Sequence, residues 1–197
     1  SSTSGFSLKD LQKGFDDPSR IIIAHPFNPP HLIPLVEVFG DTTTKDDAVN
    51  QVLNFYESLG KTPIALKKSV PGHIANRLQA VLWQETLALA RDGVASLEDI
   101  DKAVAAGPGL RWAVFGPNQL FALAAGDRGL NGFIEHLGSR FESWWATAGQ
   151  VVLDNDMLDL IASSELANQS PLKQSHLIKK RDDFLISMIS KARKAEQ

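Results

Sequence analysis

"IIIAHPFNPPHLIPLVEVFG", residues 21–40, is the stretch whose reading decides the fold. Three isoleucines and an alanine form an apolar run that ends in His25. A proline-rich turn around Asn28 follows, and then a second apolar run holds one carboxylate, Glu37. The first run has strand length and no polar alternation, which suits a parallel strand covered on both faces. In "LIPLVEVF", Pro34 disfavours a central position, so this strand is expected near a sheet edge. A histidine closing one buried strand and a glutamate inside the next have little use in a purely structural sheet.

Upstream, "SLKDLQKGF" predicts a short helix with Ser7 as N-cap, ending near Gly14. Downstream, "TKDDAVNQVLNFYESLG" reads as a helix with a Thr cap, an acidic first turn and Gly60 as its stop. "KTPIALKK" is a third strand candidate, and the alternation of strand, helix and strand argues for a piece of an α/β sheet. After Val70-Pro71-Gly72 the strand signals vanish. Ile74, Leu78, Val81, Leu82 and Leu89 recur at helical spacing up to Gly93, and "SLEDIDKAVAAG" carries a Ser cap with a carboxylate nearby. "GPNQLFALAAG", "GLNGFIEHLGSRFESWWATA" and a terminal segment with Leu177, Phe184 and Met188 on one stripe continue the helical pattern. The expected division is an α/β piece over residues 1–68 and an all-helical domain over 69–197.

The chain has 197 residues, 43% of them apolar and 22% charged, with a net charge of −3. This is an ordinary balance for a folded domain and gives no basic footprint for nucleic acid or an anionic membrane. No apolar run nears the roughly 18 residues of a membrane span. There is no cysteine, which removes disulfides, thiolate chemistry and zinc-thiolate sites. The opening "SSTSGFSLKD" lacks the features of a signal peptide, so a cytoplasmic location is expected. With no initiating Met and no caps of its own, the opening reads as that of a fragment.

His25 follows a buried strand, where side chains of an α/β sheet meet ligands. A neutral imidazole there can act as general base if a carboxylate fixes its tautomer, and Glu37 is the nearest such group along the chain. Spacing alone leaves two readings open: this pair, or a satisfied core histidine and a glutamate bonded to some lysine. A metal site through His25, His31 and Glu37 is disfavoured, because the prolines break the local geometry and no His-Glu-x-x-His helix exists.

"HPFNPPHLIPLVEV", followed by "VPGHIANRL", resembles the signature of the 3-hydroxyacyl-CoA dehydrogenase family. The resemblance implies the C-terminal piece of a Rossmann-type NAD-binding domain followed by an all-α domain like that of 6-phosphogluconate dehydrogenase. It implies NAD as cofactor, with NADP as the alternative, and an oxidoreductase interconverting an L-3-hydroxy acid or 3-hydroxyacyl-CoA and its 3-keto product, a reaction of fatty acid metabolism. Carried over residue by residue, His25 is the catalytic base and Glu37 its partner. Ser4 and Asn76 bind substrate, while Asn28 and Ser4 meet the cofactor, and no metal is called for. His73 departs from the family pattern, which has a bulky apolar residue there. The family's Gly-x-Gly-x-x-Gly turn and acidic ribose ligand are expected upstream of Ser1, so this piece alone is expected to be inactive.

"GPGLRWAVFGP", residues 107–117, and the terminal "KKRDDFLISMISKARK" resemble the lambda-crystallin/L-gulonate 3-dehydrogenase and carnitine dehydrogenase branch. That favours a small free acid over a thioester and makes Arg111 a candidate for a substrate carboxylate. A homodimer through the helical domain is expected. The rival reading is a non-catalytic, crystallin-like structural protein or a dimerisation fragment.

Overall fold

The computed structural model describes residues 1–45 and 47–195. The chain divides into two units, Ser1–Gln79 with Pro171–Gln197, and Ala80–Ser170. In the first, Ser7 caps α1 (Leu8–Gln12) by accepting from the Asp10 N–H at 3.1 Å, and Gly14 follows at φ 84°. A sheet of order β1-β2-β3 comes next, formed by Ile23–Pro26, Leu35–Phe39 and Thr62–Ala65. The helix α2 (Ala48–Ser58) connects β2 to β3.

Both strand expectations for residues 21–40 need correction. β1 pairs with β2 antiparallel, so the expected parallel pairing fails on that side of the strand. The connection between them is a short turn, which joins antiparallel neighbours, whereas a parallel pair needs a crossover of about a dozen residues or more. The parallel pair is β2 with β3, with α2 as the crossover. On its other side β1 meets Ser1, whose N–H donates to the Ile22 carbonyl and whose carbonyl accepts from Ala24 N–H, the spacing of a parallel pair. β2 is the middle strand, not an edge. Pro34 is compatible with that because it precedes the strand, and its carbonyl accepts from Thr62 N–H at 2.9 Å.

β2 is central because both of its faces are covered. Val36 and Val38 are fully buried among Val49, Val52, Leu53 and Tyr56 of α2. Phe39 turns the other way, into a cluster with Leu8, Ile23 and Leu66. Side chains alternate along a strand, so Glu37 shares the face of Phe39, and His25 that of Ile23.

The expected start of α2 also changes. Its N-cap is Asp47, without a side-chain capping bond, and its first turn holds no acidic residue. Thr44 instead closes the preceding turn, its Oγ1 accepting from Asp41 N–H at 3.0 Å. Asp46, part of the expected acidic turn, lies outside the described residues. Gly60, at φ 71°, ends the segment as the sequence indicates.

Beyond Ala65 the described residues form helices and turns: α3 (Ala75–Arg91), α4 (Leu97–Ala106), α5 (Pro108–Trp112), α6 (Pro117–Ala124), α7 (Gly129–Ala146), α8 (Asn155–Ser163) and α9 (Pro171–Ala195). Ser96 caps α4 by accepting from Asp99 N–H, and Gly93 follows α3 at φ 72°. α6 and α7 join through aromatic rings, with Phe121 stacked on Phe133 at 4.4 Å and Phe141 set edge-on to both. The apolar stripes of α3 and α9 are largely exposed: Leu78, Val81, Ile178 and Phe184 all face solvent. Among the described residues no helix is long and apolar enough to cross a membrane.

Candidate active site

The antiparallel register sets His25 directly opposite Glu37. Facing residues on adjacent strands have Cβ atoms about 5 Å apart, close enough for an imidazole to reach a carboxylate. Nδ1 of His25 lies 3.3 Å from Oε2 of Glu37, with the glutamate wholly buried and the histidine 9% exposed. A carboxylate oxygen only accepts, so Nδ1 carries the proton and donates. Nε2 is then the ring atom with a free lone pair, as a general base requires.

The second carboxylate oxygen is equally committed. Oε1 of Glu37 accepts from the backbone N–H groups of Ile74 at 2.7 Å and Ala75 at 3.1 Å. These open α3, where N–H groups lack partners within the helix and its dipole favours negative charge. A buried carboxylate without partners costs several kcal/mol, and here donors on both oxygens meet that cost. The donors to Glu37 among the described residues are His25, Ile74 and Ala75, in place of the alternative lysine.

The chain reaches α3 through a tight turn. His73 N–H donates to the Val70 carbonyl at 3.0 Å, with Pro71 and Gly72 between them. Gly72 stands at φ 77°, the left-handed value that the third residue of a type II turn takes, where glycine carries no Cβ penalty. His73 itself has φ 50°, the one non-glycine residue with positive φ among those described. Its ring packs against that of His25, centroids 4.9 Å apart and planes tilted by 41°. Nε2 of His73 lies 3.4 Å from the Thr3 carbonyl, which only accepts, so that nitrogen carries the proton. Nδ1 is left buried with no hydrogen-bond partner among the described residues. Such an atom costs about 1–3 kcal/mol.

The other residues singled out by sequence lie as follows. Ser4 is exposed and directly follows Thr3, the residue bonded to His73. Asn28 is exposed in the turn between β1 and β2, as is His31. Asn76 is half-buried in the first turn of α3, beside the N–H groups held by Glu37, and Arg77 is exposed. Arg111 belongs to the unit Ala80–Ser170, is exposed on α5, and makes no ion pair among the described residues. Two contacts escaped the sequence reading. Lys61 donates from Nζ to the carbonyls of Pro30 and, at 3.2 Å, Ile33, closing the turn that carries Asn28. No sequence signal ties a lysine after Gly60 to that turn. His73 was visible as a polar residue between Pro-Gly and a helix, but its contact with His25 was not.

Residues 1–69 match the NAD binding domain of 3-hydroxyacyl-CoA dehydrogenase, and residues 72–158 match the C-terminal domain of the same family. The chain is 46% identical over 163 residues to an L-carnitine dehydrogenase of Streptomyces coelicolor, covering 83% of this chain and 51% of that protein. It is 42% identical over 200 residues to a 3-hydroxyacyl-CoA dehydrogenase of Gibberella moniliformis, covering 98% and 62%. Among solved structures, 5-formyl-3-hydroxy-2-methylpyridine 4-carboxylic acid 5-dehydrogenase, an NAD+-dependent dismutase, superposes with a TM-score of 0.80 at 25% identity, over 99% of this chain and 62% of its own. The chain spans between half and two-thirds of the length of these relatives. It belongs to the 3-hydroxyacyl-CoA dehydrogenase family, as a Rossmann-like NAD-binding segment followed by the helical C-terminal domain.

Proposed function

We propose that this chain carries the proton-transfer and substrate-side half of an NAD-dependent dehydrogenase that interconverts an L-3-hydroxy acid and its 3-keto product. The observation that carries the reading is the buried His25–Glu37 pair, 3.3 Å apart, with its tautomer set by an oxygen that only accepts. In oxidation, the substrate hydroxyl loses its proton to Nε2 of His25 as the C3 hydride departs. In reduction, His25 as imidazolium returns that proton to the developing alkoxide, with Glu37 stabilising the ring's charge. NAD, when bound, supplies the hydride acceptor, with NADP the alternative. Ser4 and Asn28 are the residues of this chain that would meet its reacting end. The sequence contains no Gly-x-Gly-x-x-Gly turn, so these residues fit the reacting end of the cofactor and not its pyrophosphate.

Ser4 and Asn76 hold the substrate oxygen. In the unit Ala80–Ser170, Arg111 is exposed, has no ion pair among the described residues, and is the candidate for recognising a carboxylate. The segment around Arg111 and the relatives named L-carnitine dehydrogenase favour a small free acid such as carnitine. The relative named 3-hydroxyacyl-CoA dehydrogenase keeps the thioester as the second reading. A homodimer is supported by the exposed Ile134, Trp144 and Trp145 of α7. The test is His25→Gln in the full-length protein carrying this chain, assayed by NAD reduction with L-carnitine and with 3-hydroxybutyryl-CoA. Turnover falls by about 10²- to 10⁴-fold while cofactor affinity holds. Unchanged turnover in that variant refutes the assignment.

A further inference from the structure

We propose that His73 is a positioning residue that keeps the His25 ring and the segment carrying Ser4 in register, an inference that rests on reading His25 as the base. Glu37 alone does not fix the base. Its bond to Nδ1 constrains one edge of the ring and leaves the ring free to tilt about that bond. The missing constraint is the face of His73, at a centroid distance of 4.9 Å. His73 is in turn held from three directions. Its N–H is tied to Val70, its Nε2 to the Thr3 carbonyl, and the two residues after it are held by Glu37. The carboxylate that fixes the tautomer of His25 therefore also fixes the residue that packs on its face.

A phenyl ring would fill the same space without leaving a buried nitrogen unpaired. What the imidazole adds is the bond to Thr3, the residue before Ser4. The backbone is strained to make this arrangement: His73 occupies the left-handed region that non-glycine residues rarely adopt, and strain of this kind concentrates at functional sites. A residue 48 positions from His25 in sequence is thereby part of its immediate surroundings, and its two attachments lead to two different pieces of the site.

Two variants separate the parts of this role. His73→Asn tolerates the left-handed backbone but removes the ring, whereas His73→Phe keeps a ring and removes the bond to Thr3. In the full-length protein, His73→Asn lowers kcat by about 10- to 100-fold, the scale of a misplaced catalytic group, with melting temperature nearly unchanged. His73→Phe lowers kcat by about 3- to 10-fold and weakens the effect of Ser4→Ala, because Ser4 is no longer held in place. In both, kcat falls by more than KM rises, because His25 and Ser4 act on the substrate oxygen, where charge develops during the reaction. Nitrogen-detected NMR of the full-length protein gives a readout independent of turnover. His25 and His73 show opposite neutral tautomers, Nδ1–H and Nε2–H, and the His25 signal broadens in His73→Asn. Parental kcat in both variants overturns the inference, as does a kcat loss matched by a fall in melting temperature. If His25→Gln leaves turnover intact, the base assignment falls instead, whatever the His73 variants do.

Discussion

Replacing Glu37 by glutamine tests the site at its most constrained atom. The side chain is wholly buried and accepts from His25 on one oxygen and from Ile74 and Ala75 on the other. Glutamine has the same shape but one acceptor and one donor group. Its oxygen must face the two backbone N–H groups, because the opposite flip sets an NH2 against two donors. The amide NH2 then faces Nδ1 of His25, which has to become an acceptor, and the ring proton moves to Nε2. The lone pair that takes the substrate proton is lost. On stability, the two backbone bonds weaken from charge-assisted to neutral, at about 1 kcal/mol each. Loss of the ion's desolvation cost, several kcal/mol in such surroundings, offsets them. The net change is about 0–2 kcal/mol, against a loss of about 10²- to 10⁴-fold in kcat. Glu37→Ala differs in kind, leaving two N–H groups and a ring N–H unpaired at about 1–3 kcal/mol each. That approaches the whole stability of a domain, about 5–15 kcal/mol. Urea unfolding, NAD reduction and imidazole nitrogen shifts read the three quantities. Parental turnover in Glu37→Gln, or a ring still protonated on Nδ1, refutes the reasoning.

Arg111→Lys keeps the charge but loses the planar fork, so KM for a free 3-hydroxy acid rises by about tenfold with melting temperature unchanged. A fall in melting temperature instead assigns Arg111 a structural role, and faster turnover of 3-hydroxyacyl-CoA than of any free acid ends the carboxylate idea. Gly149 lies against α3, where an added Cβ would stand 2.1 Å from that of Ala88. Gly149→Ala therefore destabilises the helical unit by about 1–3 kcal/mol, read from the urea midpoint, and an unshifted midpoint contradicts this packing. Sedimentation of the protein at micromolar concentration shows a dimer, and a monomer there refutes the assembly inferred from the exposed apolar side chains of α7.

Much of the local structure was legible because its causes are local. Ser7 and Ser96 cap their helices through bonds spanning three residues, and Gly14, Gly60 and Gly93 end segments by taking positive φ. The change from strands to helices after residue 70 follows from periodicity alone. Thr44 shows the limit of such signals, since its hydroxyl served the turn before α2 instead of the helix. Pairing direction was not legible, because an apolar run covered on both faces reads the same in a parallel or an antiparallel sheet.

For the site, the sequence determined the inventory: a histidine closing one strand, a carboxylate inside the next, and a Pro-Gly turn leading into a helix. Only the tertiary structure decided their relations. A spacing of twelve residues becomes a contact because the antiparallel register sets His25 opposite Glu37; a slip by one residue would turn the carboxylate to the opposite face. The far oxygen of Glu37 finds its donors at Ile74 and Ala75, and the ring of His25 finds its neighbour in His73. Those partners lie more than thirty residues away along the chain. Sequence patterns report preferences over a few residues, whereas a buried charge selects its partners by distance in space.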